Sequence, residues 1–300
     1  MTQVSPLASD LSYPPEAQRW PPEFPPTCAA AWGDDQYGLW IDVVIGGPSQ
    51  RLRWIEPGEF VMGSPEGEAG RFDNEGPQHV VRFAEGFWLA ETACSQALWV
   101  AVMDANPSQF HDNPQNPVEQ VSWDDVDGFL RQVEGLLPEM KAALPTEAEW
   151  EYACRAGTAT AFSCGEGVTP EHANYDARIS YAFGPTAEWR RHSVPVKSFA
   201  PNAWGLYQMH GNVWEWCADG PRTYDGSLKV NPCGDTSDEA EAPRVVRGGS
   251  WFNDPHWLRA AYRNRWLRDW SDGNLGFRFL LKSPRQGAEG LPAALPTQDA

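Results

Sequence analysis

The segment 244–278 concentrates side chains that recognise rather than react. It carries Arg244, Arg247, Arg259, Arg263, Arg265, Arg268 and Arg278 against Asp254, Asp269 and Asp272, a net of +4. The whole chain of 300 residues has a net charge of −18, so the rest carries −22. Trp251, Trp257, Trp266 and Trp270 interleave with these charges, together with Phe252 and Tyr262. Tryptophan, tyrosine and arginine dominate binding hot spots, so the pattern points to contact with a protein or peptide ligand. Within RGGSWFNDPHWLRAAYRNRWLRDWSDGNLGFR, GGSW, Arg259, Arg263 and NLGFR read as framework. Phe252, Asp254, His256, Trp257, Tyr262, Asn264, Trp266, Leu267, Trp270, Ser271 and Gly273 read as inserted variety, and they are the candidate ligand contacts.

Groups that could catalyse or hold a metal are sparse by comparison. Cys28, Cys94, Cys154, Cys164, Cys217 and Cys233 form no CxxC pair, and His79, His111, His172, His192, His210 and His256 are scattered without zinc spacing. Buried thiols are the expectation. There is no GxSxG, Walker loop or dinucleotide fingerprint. The acidic balance argues against binding to nucleic acid. No run approaches the roughly 18 apolar residues of a membrane span. The start of the chain lacks a basic and an apolar signal region, so a cytoplasmic location is expected.

The elements that must position these groups are irregular. Glycine and proline number 27 each and tryptophan 16, which favours a loop-rich fold pinned by aromatic rings. Residues 1–27, with three Pro-Pro pairs, read as an extended arm partly ordered by Trp20 and Phe24. YGLWIDVVIGG, LRWIEPGEFVMGS and HVVRFAEGFWLAE have strand character, the second as two strands around Pro57-Gly58. A helix is expected over about 95–103. Ser122 with Asp125 starts another, with Val126, Phe129, Leu130, Val133 and Leu137 on its apolar face. A third begins where Thr146 caps and Glu149 reaches back, and it stops at Gly157. Beyond Gly157 short strands and turns are expected. In HGNVWEW the alternation places Trp214 and Trp216 on one face and Glu215 on the other. Arg247 and Arg278 are candidates either for internal clamps on Glu149 or Glu151, or for solvated cations.

Six blocks, GEFVMGS, NPVEQVSWDDV, LPTEAEWEYACRAGT, PNAWGLYQMHGNVWEWC, RVVRGGSW and NLGFR, resemble in order and separation the formylglycine-generating enzyme (sulfatase-modifying factor) family over about 230 residues. The resemblance implies one α+β, loop-rich variant of the C-type lectin fold, low in regular secondary structure, over 28–282, with a flexible tail over 283–300. Formylglycine-generating oxidases bind copper through two cysteines just after the GGS motif. Those positions fall on Asn253 and Leu258, and no cysteine follows Cys233, so no copper and no copper-dependent oxidation are expected. Related iron-dependent sulfoxide synthases take histidine ligands from a further helical domain.

The same resemblance implies structural calcium. One site would use Gln208, Glu215 and the carbonyls of Gly211 and Val213, with Gln208 standing where relatives usually have Asp or Asn. A second would use Asn174 and the Tyr175 carbonyl. Oxygen donors of this kind suit Ca2+. The strip 252–273 further resembles the variable region of ligand-binding proteins diversified by retroelements, which share this fold. The expected function is therefore a non-catalytic binding protein, with Trp257, Trp266 and Trp270 exposed and Trp150, Trp214, Trp216 and Trp251 buried. The alternative is an oxidoreductase of this family acting by non-copper chemistry on a peptide or small aromatic substrate.

Overall fold

A computed structural model describes residues 19–182, 184–237, 239 and 241–283. The chain opens with β1 (Ala31–Asp35), β2 (Gly38–Val44), β3 (Ser49–Ile55), β4 (Gly58–Met62), β5 (His79–Phe83) and β6 (Phe87–Ala90). Then come α1 (Gln96–Met103), α2 (Trp123–Leu136), β7 (Lys141–Ala143) and α3 (Glu147–Arg155). Short strands follow: β8 (Trp214–Trp216), β9 (Lys229–Val230), β10 (Pro243–Arg247), β11 (Asn264–Leu267), β12 (Leu275–Gly276) and β13 (Leu280–Lys282).

The helix starts obey the capping chemistry of the sequence. Ser122 and Asp125 satisfy each other's backbone N–H groups, as do Thr146 and Glu149. At the end of α3, Ala156 and Gly157 both take positive φ, so the helix closes one residue before the expected stop. Ser95 caps α1 by accepting from the Leu98 N–H. The two strands around Pro57-Gly58 both exist but do not pair with each other. β3 joins a six-stranded sheet in the order β1-β2-β3-β6-β13-β7, whereas β4 pairs with β5 in a three-stranded sheet completed by β9. The third sheet runs β11-β10-β8-β12, with β12 parallel to β8.

Two large apolar cores dominate the described residues. In one, Trp99 stacks on Phe129 at 5.3 Å, and both lie against Phe277, joining α1 and α2 to the C-terminal segment. The other gathers α3 through Trp150, Ala153 and Cys154 with Val81, Phe87, Val245 and Leu280. The end of the N-terminal arm is tied to this body. Phe24 lies 6.1 Å from Trp88, and the Trp54 indole donates to the Arg19 carbonyl. Trp20, by contrast, is exposed. Residues 1–18 of the arm and 284–300 of the tail lie outside the described residues. No helix among the described residues is long and apolar enough to cross a membrane.

Candidate functional site

The strip 251–273 leaves β10 through the glycine pair Gly248-Gly249. Both have positive φ, and a Cβ on Gly249 would stand 2.7 Å from Leu258. Asp254 then caps a 3-10 turn over Pro255–Leu258, accepting from the His256 N–H at 2.9 Å, with His256 Nδ1 3.0 Å from the same oxygen. β11 pairs antiparallel with β10, and a final turn carries Trp270 before β12. The Trp251 indole donates to the Gly273 carbonyl at 3.0 Å and so ties the two ends of the strip together.

Most arginines of the segment 244–278 face inward. Arg244, Arg247, Arg259 and Arg278 are fully buried, and Arg263 nearly so. Arg259 donates to Glu68 and Glu75 and to the Gly70 carbonyl, clamping the polar loop 63–77 onto the strip. Arg263 holds Glu147 through two bonds of 2.6 Å. Arg247 binds Glu151, as one of the two clamp alternatives allowed. Arg278 instead takes Glu215 through two bonds of 2.7 Å, while Glu149 pairs with Lys282. Arg265 is exposed, and Arg268 is half-buried against Asp124. The expected aromatic/arginine surface is therefore corrected to a mainly aromatic one, because interior carboxylates claim Arg247, Arg259, Arg263 and Arg278 and leave Arg265 exposed.

The aromatic candidates also divide. Phe252, Leu267 and Trp270 are exposed, at 56%, 49% and 50%. Ser271 is exposed as well, and Asp254, His256 and Asn264 are partly so. Two of the three indoles expected to be exposed are half-buried. Trp257 stacks on Tyr262 at 5.4 Å, and Trp266 meets Trp214 and Trp216 edge-on at 5.7 and 6.2 Å. Tyr262 is buried between Trp257 and Phe72. Gly273 is buried against Gln109, which a Cβ would approach to 2.4 Å. Both therefore stand as framework beneath the face. Trp150, Trp214 and Trp216 are buried as expected, but Trp251 is half-buried. It stacks with Trp189 at 5.8 Å, and Trp189 in turn lies under Arg178 and Arg191. Sequence reasoning missed Trp189, which sits far upstream in a segment without periodicity.

Where the family's copper thiolates would stand, Asn253 accepts from the Ser250 hydroxyl at 2.6 Å. Leu258 is fully buried in a small apolar cluster with Phe162, Tyr175 and Tyr181. Neither residue offers a soft ligand. The implied calcium donors fit unevenly. Glu215 is already neutralised by Arg278 and also accepts from the Trp150 indole at 2.7 Å. Gln208 has positive φ and a buried Nε2 without a partner. Gly211 and Val213 sit in the same buried turn. A divalent cation does not fit on Glu215, because it would lie beside a guanidinium. The Tyr175 carbonyl accepts from the Ala177 N–H at 2.8 Å, but Asn174 Oδ1 is buried with no donor, as an oxygen ligand would be.

His210, in the same turn, has a structural setting. Its Nδ1–H donates to the Leu258 carbonyl at 2.7 Å, and Nε2 accepts from the Ser163 N–H at 3.0 Å. Burial pushes its pKa down to about 4, partly offset by the Leu258 carbonyl. Neutral His210 therefore contributes stability that is complete above the unfolded pKa of about 6.5 and is lost as pH falls toward the folded value. Unfolding free energy should fall by about 1 kcal/mol per pH unit across that window from this group. The His210→Gln variant should lack that component of the slope. Identical slopes in the two proteins would remove His210 as its source.

The sulfatase-modifying factor enzyme 1-like domain matches residues 48–283. The formylglycine-generating enzyme of Streptomyces coelicolor is 35% identical over 228 residues, covering 70% of this chain and 69% of that protein. The inactive C-alpha-formylglycine-generating enzyme 2 of Bos taurus is 32% identical, covering 54% of this chain and 49% of its own. The solved Treponema denticola variable protein 1 superposes with a TM-score of 0.68 at 24% identity, over 80% of this chain and 98% of that one, a likeness of fold. With the family's domain matched over residues 48–283, and its loop-rich C-type-lectin-like architecture in place, this chain belongs to the sulfatase-modifying factor enzyme family.

Proposed function

We propose that the chain is a non-catalytic binding protein that presents residues 251–273 to a protein or peptide ligand. The observation that carries this reading is the display of Phe252, Leu267 and Trp270, each about half exposed, on a strip held from beneath by the buried Arg259 and Arg263 and by its inner rings. Exposed apolar clusters on a rigid base mark interaction sites. The likeness of fold to the Treponema denticola variable protein 1 supports a strip that accepts many side chains, as retroelement diversification would require. Calcium enters this proposal at Asn174, whose orphaned oxygen suits it.

Similarity to formylglycine-generating enzymes favours a second reading, oxidoreduction of a peptide or small aromatic substrate by non-copper chemistry. One experiment separates the two. A displayed peptide library is selected on the purified protein, and the Trp270→Ala and Phe252→Ala variants are then measured against the selected peptides. Each substitution should weaken binding by about 2 kcal/mol, the size of a hot-spot residue. With Cu(I) and a Cys-x-Pro-x-Arg peptide, no formylglycine should form. Binding indifferent to both substitutions, or oxidation of a peptide or small aromatic substrate without added copper, would favour the second reading, and aldehyde above background with Cu(I) would overturn both.

A further inference from the structure

The loop 176–192 packs against the start of the strip and extends its surface. The Trp189 indole donates to the Trp251 carbonyl at 2.7 Å, and its ring lies 5.8 Å from both Trp251 and Phe252. The loop is tied down again where the Asp176 N–H donates to the Asn253 carbonyl at 2.9 Å. The half-buried Trp189 thus continues the exposed ring of Phe252 on one base. Two guanidinium groups lie over the Trp189 ring, Arg178 at 4.6 Å and Arg191 at 5.4 Å from its centroid. Arg178 is occupied by Asp176 through bonds of 2.8 and 2.7 Å. Those bonds, and to a smaller extent the charge of Arg191, hold the Asp176 carboxyl below its ordinary range. Arg191 itself is exposed and meets no carboxylate among the described residues, and the exposed Glu188 on the same loop pairs with neither arginine. Arg190 donates instead to the carbonyls of Pro170 and Ala173. Arg191 also takes a φ of 65°, a left-handed conformation uncommon for such a residue, of the kind that clusters at binding sites.

An exposed cation held over an aromatic ring at the margin of an apolar patch is a recognition element of definite sign. The chain's net charge of −18 is screened beyond roughly 8 Å at physiological ionic strength, so local charge decides what docks here. The segment 176–192 carries Arg178, Arg190 and Arg191 against Asp176 and Glu188, a net of +1. On the strip, Asp254 is engaged by the His256 N–H and ring. We propose that Trp189 and Arg191 belong to the binding face and select a peptide segment of the partner in which a carboxylate neighbours an apolar side chain. The apolar group covers Phe252 and Trp189, and the carboxylate pairs with Arg191, the guanidinium without a counter-ion. A basic segment would set a second cation against Arg191, and like charges brought together at an interface lower affinity. This inference rests on the binding reading, which it deepens by naming the partner's chemistry.

The test selects a displayed library of random peptides on the full chain and, in parallel, on its Arg191→Glu variant. Peptides recovered on the parent should be enriched in Asp and Glu beside an aromatic or aliphatic residue, and those recovered on the variant should lose that enrichment. Against a recovered acidic peptide, Arg191→Gln should weaken binding about fivefold, the scale of an exposed ion pair, and Arg191→Glu should weaken it more. Replacing the peptide's carboxylates by amides should weaken binding to the parent by a similar factor and to Arg191→Gln hardly at all, the mark of direct pairing. Arg191 is exposed and has no carboxylate partner, so its variants should fold, which melting curves check. Peptides that bind through Phe252 and Trp270 without an acid preference, or with one unchanged in Arg191→Glu, would overturn this inference and leave the binding reading standing. Recovery of no peptide at all would overturn both.

Discussion

Replacing Trp214 by alanine should destabilise the protein by about 3–5 kcal/mol, the cost of emptying a large core position. Trp214 is 1% exposed, and its ring meets Trp257, Tyr262 and Trp266 at 5.7 to 6.4 Å. The cavity would open directly beneath the strip, removing the support of two half-buried indoles at once. Trp270→Ala and Phe252→Ala should instead leave stability within about 0.5 kcal/mol of the parent, as exposed substitutions usually do. Denaturant unfolding of the three variants checks the contrast. A Trp214→Ala protein as stable as Trp270→Ala would mean that the rings do not form one packed stack. A Trp270→Ala protein as unstable as Trp214→Ala would return the exposed ring to the scaffold.

That contrast marks how far the sequence could be read. Local signals were legible because they depend on neighbours in sequence. The Ser122/Asp125 and Thr146/Glu149 boxes, the Gly248-Gly249 pair and the alternation of Trp214-Glu215-Trp216 all specify geometry within a few residues, and all appear in the structure. Tertiary partners were not legible. Periodicity cannot say that β3 and β4, three residues apart, enter different sheets. Nor can it say that Arg259 reaches back to Glu68 and Glu75, or that Arg263 reaches Glu147. A cluster of arginines beside tryptophans looks the same whether the guanidinium groups face solvent or interior carboxylates. The acidic excess elsewhere in the chain was the available clue, since buried cations require partners. The half-burial of Trp257 and Trp266 was hidden for the same reason: a turn or a strand assigns a side chain its direction, and its depth depends on what packs from beyond it.

The Glu215–Arg278 pair gives this distinction its sharpest consequence. The resemblance to the family suggests Glu215 as a calcium ligand, whereas the structure gives it a guanidinium as counter-ion. Glu215→Gln should therefore cost about 3–5 kcal/mol, because it strands Arg278 as a buried charge lacking its carboxylate. Arg278 would keep its bond to the Tyr207 carbonyl, and the Trp150 indole its acceptor, so the loss is mainly that of charge. The cost should be the same with calcium present or chelated. Chelation should lower the melting temperature of the parent and of Glu215→Gln alike if calcium is held at Asn174, since a ligand that binds only the folded state stabilises it. The Asn174→Ala variant should not respond to the chelator. Loss of chelator sensitivity on changing Glu215 would show that the cation, and not Arg278, is the partner of that carboxylate. Insensitivity of the parent would remove calcium from Asn174 while leaving the ion pair as the anchor of β8.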